Sequence, residues 1–214
     1  MRTFVAITFA LLFAAVTSAN AATIEFLTDP FAGSTAPTDP GRQVVGGEPF
    51  ITFDIANDVF VFDPIAFGLT DIFFANDLVG NLPATGINTV VLQTFDNDND
   101  SSTGFNAGLA ANLIAEQFTS PGAGFFIYFN SSLDRARLVY STDLSDNTAD
   151  LKILARMTNL AGQSGRDAFP TFTADNFDVN PVAVPEPATL SLMTVAGVLS
   201  AYRARRNRRR SEDS

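Results

Sequence analysis

From residue 23 to residue 173 the chain is a succession of short apolar or alternating runs, each stopped by Asp, Asn, Pro or Gly. Runs of that length and period predict strands separated by turns. Residues 23–27 read as a first strand, and 29–47, rich in Pro, Gly, Thr and Asp, as an exposed loop. In 50–55 the side chains of Ile51, Phe53 and Ile55 alternate with Thr52 and Asp54, which predicts a half-buried strand. Residues 59–62 form a continuous apolar run that stops at Asp63-Pro64. These two segments predict a hairpin turning at Asn57-Asp58. Further strands are predicted over 71–75 and 88–95, parted by the loop 79–86. One segment changes period: over 106–118, Leu109, Ala110, Leu113, Ile114 and Phe118 recur at helical spacing, with Asn112 and Glu116 opposite. Asn106 suits the N-cap and Pro121-Gly122 ends the segment. After the helix, 125–129, 135–141 and 151–157 predict an antiparallel meander. Residues 169–173 read as a last strand and 178–184 as a linker. The expected fold is mainly β, or α+β: an antiparallel sheet domain or sandwich spanning 22–180 with one amphipathic helix.

Two further apolar runs stand outside this scheme, one at each end. Residues 1–21 combine Arg2, an apolar run over 4–16 and the small-x-small triplet Ala19-Asn20-Ala21, the layout of a secretory signal peptide with the mature chain starting near Ala22. At the other end Pro185, Glu186 and Pro187 close the linker 181–187 and forbid helix there. The uncharged run 188–202 follows, ending at Tyr202, and then a basic block of Arg203, Arg205, Arg206, Arg208, Arg209 and Arg210 within 203–214. As a helix the run would rise about 22 Å, short of a hydrocarbon core of about 30 Å. Arginine snorkelling lengthens its reach, so a short transmembrane helix with a cytoplasmic basic tail is expected.

Pro-Glu-Pro, a short apolar segment and a terminal arginine cluster, in a chain that starts with a signal peptide, resemble the PEP-CTERM sorting signal. The resemblance covers the last thirty or so residues only. It implies an exosortase-type processing enzyme as partner and passage through the inner membrane of a Gram-negative bacterium. The implied destination is the outer envelope or extracellular matrix, in association with exopolysaccharide or biofilm. About the folded middle it implies nothing.

Without the two ends the charge picture sharpens. Residues 22–184 hold six basic side chains against twenty acidic ones, a balance of −14, and seventeen of the twenty are Asp. That balance argues against nucleic acid as a partner and favours solubility. There is no cysteine, so stability must come from burial. Phenylalanine is abundant and tryptophan absent. Phe carries no polar handle, which marks it as core material.

Absent histidine and cysteine remove the usual nucleophile systems and the usual zinc sites. Carboxylate chemistry remains, and with it the alternative of a secreted carbohydrate-active enzyme using an Asp or Glu pair. No catalytic residue stands out, and the expectation is a non-enzymatic protein. Asp96, Asp98 and Asp100 place oxygen ligands at alternate positions, as a calcium loop does. Ser101 and Ala107 stand where an EF-hand would have Gly and Glu. Calcium is thus the one candidate cofactor, and a polar strand-to-helix loop is the plain alternative. Arg135, Arg137, Lys152 and Arg156 hold four of the six positive charges. Pairing Leu138 with Ile153 would put all four on one face, with Arg135 opposite Arg156. Facing like charges cost stability and call for an anion, either Asp134 or Asp150 nearby or an anionic polysaccharide.

Overall fold

The run Gly124–Asn130 is apolar nearly throughout because both of its faces are covered: Phe125, Ile127 and Phe129 enter one core, Phe126 and Tyr128 another. It is the seventh of ten strands in a computed structural model that describes residues 21–96, 98–100 and 102–180. In chain order these are β1 (Thr23–Phe26), β2 (Val44–Val45), β3 (Phe50–Ile51), β4 (Val59–Phe62), helix α1 (Pro64–Phe67), β5 (Phe74–Asp77) and β6 (Thr89–Leu92). Helix α2 (Ala107–Gln117), β7 (Gly124–Asn130), β8 (Arg135–Ser141), β9 (Leu151–Ala161), α3 (Gly162–Asp167) and β10 (Phe177–Val179) follow. The chain divides into two units, Met1–Val179 and Asn180–Ser214. All of these elements belong to the first.

The larger sheet runs β2-β9-β8-β7-β6-β5, with β3 also on β9, and the smaller runs β1-β4-β10. Between them lies a core dominated by phenylalanine: Phe60 and Phe62 of the small sheet meet Phe125, Ile127, Leu138 and Tyr140 of the large one. Phe62 stacks on Phe125 with ring centroids 3.8 Å apart. Helix α2 covers the other face of the large sheet through Ala107, Ala110, Ala111 and Ile114, over Val90, Leu92, Phe126 and Tyr128. Small residues at the helix contact let it approach the sheet closely. Its N-cap is the expected one, Asn106, whose side chain accepts from Leu109 N at 3.1 Å.

The mainly β fold, the single long helix and the β7–β8–β9 meander match what the pattern predicts. Four expectations need correction. Antiparallel pairing is confined to the meander, and all other ladders are parallel. A period of two reports which side chains share a face and carries no direction. The connection 93–123 contains α2, which is the crossover that parallel β6 and β7 require. Second, no hairpin joins β3 and β4, which enter different sheets. Phe53 instead bonds the side chain of Asn159, whose Oδ1 accepts from Phe53 N and whose Nδ2 donates to Phe53 O, both at 2.9 Å. That amide stands in for a strand partner and leaves the Phe53 ring free to stack on Phe60 at 4.1 Å.

Third, the stretch expected as a last strand forms 3-10 turns at Phe169–Thr171 and Ala174–Asn176, because Pro170 has no N–H to donate. The closing strand is β10, Phe177–Val179, which overlaps the expected linker 178–184. Fourth, β8 and β9 pair in a shifted register, Leu138 opposite Ala155 and Val139 opposite Ile153, with an irregularity between the two pairs. The extra residue at Leu154 turns the following part of β9 over, as a bulge does.

Candidate functional site

The register decides the fate of the four cations. Side chains directly opposite on paired strands share a face. Arg137 lies opposite both Tyr128 and Arg156, and Arg135 opposite Asn130, on the face covered by α2. Lys152 lies opposite Tyr140, whose ring belongs to the core between the sheets. Three cations therefore share a face and Lys152 takes the other, where its Nζ donates to Gly46 O at 2.7 Å. Arg137, not Arg135, faces Arg156.

The anion demanded by that pair is Glu48, from the loop between β2 and β3, rather than Asp134 or Asp150. Its Oε1 accepts from Arg137 Nη2, from Arg156 Nη2 at 2.7 Å and from Arg156 Nε at 3.2 Å. The Glu48 side chain is only 6% exposed, against 13% for Arg137 and 21% for Arg156. Burial alone would raise the Glu48 carboxyl, but its backbone hydrogen bond and the two guanidiniums outweigh burial and hold it below the usual carboxylate value. On the inner side the Tyr128 hydroxyl accepts from Asn130 Nδ2 at 2.9 Å and from Arg137 Nη1 at 3.4 Å, and burial pushes its phenol up. On the outer side Phe50 lies under the Arg156 guanidinium at 4.5 Å. The row Phe50–Arg156–Arg137–Tyr128 crosses four strands. Arg135 Nε donates to Leu133 O at 3.0 Å.

Asp96, Asp98 and Asp100 lie between β6 and α2 as a chain of turns. Asp96 Oδ1 accepts from Asp98 N and Asn99 N, Asp98 Oδ1 from Asp100 N, and Asp100 Oδ1 from Ser102 N, at 2.9–3.1 Å. Thr103 Oγ1 donates to both oxygens of Asp98 at 3.0 Å. The backbone bond from Asp100 and the Thr103 hydroxyl hold Asp98 below its ordinary value, and Ser102 does the same for Asp100. Each carboxylate is thus aimed at the next donor along the chain. Among the described residues no group of three or more acidic side chains is arranged to hold a metal ion.

Two features escape a reading of the sequence. Arg42, within the expected exposed loop, bonds Ala149 O at 3.0 Å through Nε, and Gly108 O at 2.9 Å and Asn112 Oδ1 at 2.6 Å through Nη1. It ties α2 to the β8–β9 connection. The only hint in the sequence is its isolation among acidic and apolar neighbours. The second feature is an open groove of about 380 Å³ between the end of β1, the loop before β3 and β9. Glu25, Asp29, Glu48 and Lys152 supply its charges, and Phe26, Leu27 and Pro49 its apolar wall.

Pro185, Glu186, Pro187, the run 188–202 and the cluster from Arg203 to Arg210 lie outside the described residues, as does the leader before Ala21. Among the described residues no helix is long and apolar enough to cross a membrane. No family model, curated protein or solved structure matches this chain.

Proposed function

We propose that this chain is an exported protein without enzymatic activity, sorted through its C-terminal tail and resident in the envelope or the extracellular polysaccharide matrix. The observation that carries this reading is the joint presence of the Ala19-Asn20-Ala21 leader and the Pro185-Glu186-Pro187, apolar, arginine-cluster tail in one sequence. The described elements accord with it: the last of them, β10, ends at Val179, upstream of the whole signal. The basic face is not needed for this role, and Glu48 already pairs with both Arg137 and Arg156. The test is mass spectrometry of the protein recovered from the envelope of its producing cell. A mature form lacking both the leader and the Arg203–Arg210 cluster is expected; a mature form that keeps the cluster overturns tail processing.

The groove lends one observation to a second reading, a carbohydrate-active enzyme. Glu25 and Asp29 line it together with Glu48. Glu48 is held ionised by two arginines and so cannot serve as the protonated acid that glycoside hydrolysis needs. Glu25 and Asp29 would have to carry the chemistry. Turnover of native exopolysaccharide, abolished by Glu25→Gln or Asp29→Asn, would establish this reading in place of the first.

A further inference from the structure

Asp58 sits at the point where the small sheet begins. Its residue is 6% exposed, and both of its carboxylate oxygens accept backbone donors: Oδ1 from Ala22 N at 2.8 Å and Oδ2 from Asp54 N at 2.8 Å. Its own carbonyl accepts from Asn176 Nδ2 at 3.0 Å. The next residue, Val59, donates its N–H to Ala22 O at 3.0 Å, just ahead of the β1–β4 ladder that starts at Thr23 and Val59. Among the described residues no Lys or Arg pairs with Asp58.

Ala22 is also the residue that follows the Ala19-Asn20-Ala21 triplet. The nitrogen that leader cleavage would set free therefore already lies 2.8 Å from a buried carboxylate. We infer that Asp58 is the receptor for the processed N-terminus, and that removal of the leader creates an ion pair which locks β1 onto β4. The inference rests on the reading of residues 1–21 as a cleaved leader. In the step itself water hydrolyses the Ala21–Ala22 amide. The acyl carbon takes the water oxygen and leaves as the Ala21 carboxylate, while the Ala22 nitrogen collects the protons and becomes an ammonium. An amide N–H donating to a carboxylate becomes an ammonium donating to it at the same distance, so a charge–dipole contact gains a full ion pair. Ala22 is itself exposed, so the remaining ammonium hydrogens stay hydrated and the desolvation penalty is small. The precursor makes the same contact through an amide N–H, without the ammonium charge, and its small sheet is the looser for it. The lock closes only after export.

The experiment uses mature protein purified from the producing cell, its start read from the mass of the N-terminal peptide. A variant with one alanine inserted between Ala21 and Ala22 keeps the cleavage triplet and displaces the ammonium by about 3.8 Å. The insertion is expected to lower the melting temperature by about 2–4 °C in a chain of this size, and to have no effect beside Asp58→Asn. Should Asp58→Asn fail to accumulate, titration of the α-amine decides, by NMR after isotopic methylation: above the ordinary value of about 7.7–8.0 in the unmutated protein, ordinary in the insertion variant. A chain that starts at Ala22 but shows equal melting temperatures and an ordinary amine overturns the lock and leaves the leader reading intact. A chain that starts elsewhere overturns cleavage at this bond, and the lock with it.

Discussion

The meander β7–β8–β9 and the small sheet β1-β4-β10 face each other across one phenylalanine core, and they are built in opposite ways. The meander is consecutive, with strands of 7, 7 and 11 residues joined by short loops. The small sheet gathers strands of 4, 4 and 3 residues, two from the first third of the folded region and one from its end. Closing short loops costs little entropy, and distant segments must find one another. Accordingly the meander is held mainly by apolar burial on both faces, with the Glu48 ion pairs at one side, whereas the short strands of the small sheet lean on specific polar fasteners. Asp58 holds Ala22, and Asn176 Nδ2 donates to both Ile55 O at 2.7 Å and Asp58 O at 3.0 Å. Pairing between distant segments is specified here by side chains that bind backbone at the strand ends.

The two regions nevertheless share their core, so they should melt together. Phe60→Ala empties a fully buried site in the middle of the small sheet, beside Phe53. It should cost about 3–5 kcal/mol and leave a single cooperative transition in urea. Two resolved transitions, the meander persisting alone, would break the comparison and make the small sheet an independent unit.

Next in size is Glu48, which guards the exposed rim of the meander. Glu48→Ala leaves two largely buried guanidiniums facing each other, and should cost about 2–4 kcal/mol. The sign of its pH dependence follows from its lowered value. The stabilisation is complete above the unfolded value of about 4.3 and is lost as pH falls through the lower folded value. Glu48→Gln should therefore have a shallower acid limb in its stability profile than the unmutated protein. Equal slopes would mean that the arginines are balanced elsewhere.

Asn176→Ala should cost about 1–3 kcal/mol, because the Ile55 and Asp58 carbonyls lose their shared donor. Amide hydrogen exchange should accelerate first in β1, β4 and β10, with β7 and β8 protected as before. Uniform acceleration would show that the fasteners serve the whole fold. The smallest effect is expected from Asp98→Ala, on an exposed loop in neither region. Its melting temperature should fall slightly, through loss of the acceptor for Asp100 N and Thr103 Oγ1. A deficit that grows in millimolar calcium relative to chelator would convert the turn network into a cation site.

The sequence was legible wherever contacts are local. The α2 segment, with its cap at Asn106, and the β8 strand could be read directly, because helical spacing and strand alternation are properties of neighbouring residues. An anion beside facing arginines was expected from the sequence, but from an Arg135–Arg156 pair that the register does not form; Arg137 takes that place. The identity of the anion as Glu48 was not legible, because β2 and β3 reach β9 from more than a hundred residues away. The proposed leader and sorting tail rest on the same local kind of signal, composition and order within a short stretch.

Strand direction, sheet membership and register lay beyond that reach. A single bulged residue at Leu154 separates Lys152 from Arg137, although straight alternation would unite them. The run 59–62 pairs with β1 and β10 instead of its sequence neighbour β3, and from the centre of the small sheet its Phe62 ring stacks on Phe125 and its Phe60 ring on Phe53. Amino-acid order alone determined the helix α2, the longer strands of the meander and the acidic, histidine-free composition. Which strands meet, and therefore which charges meet, was settled by close packing of large rings across distant segments, a constraint that acts only once the chain is folded.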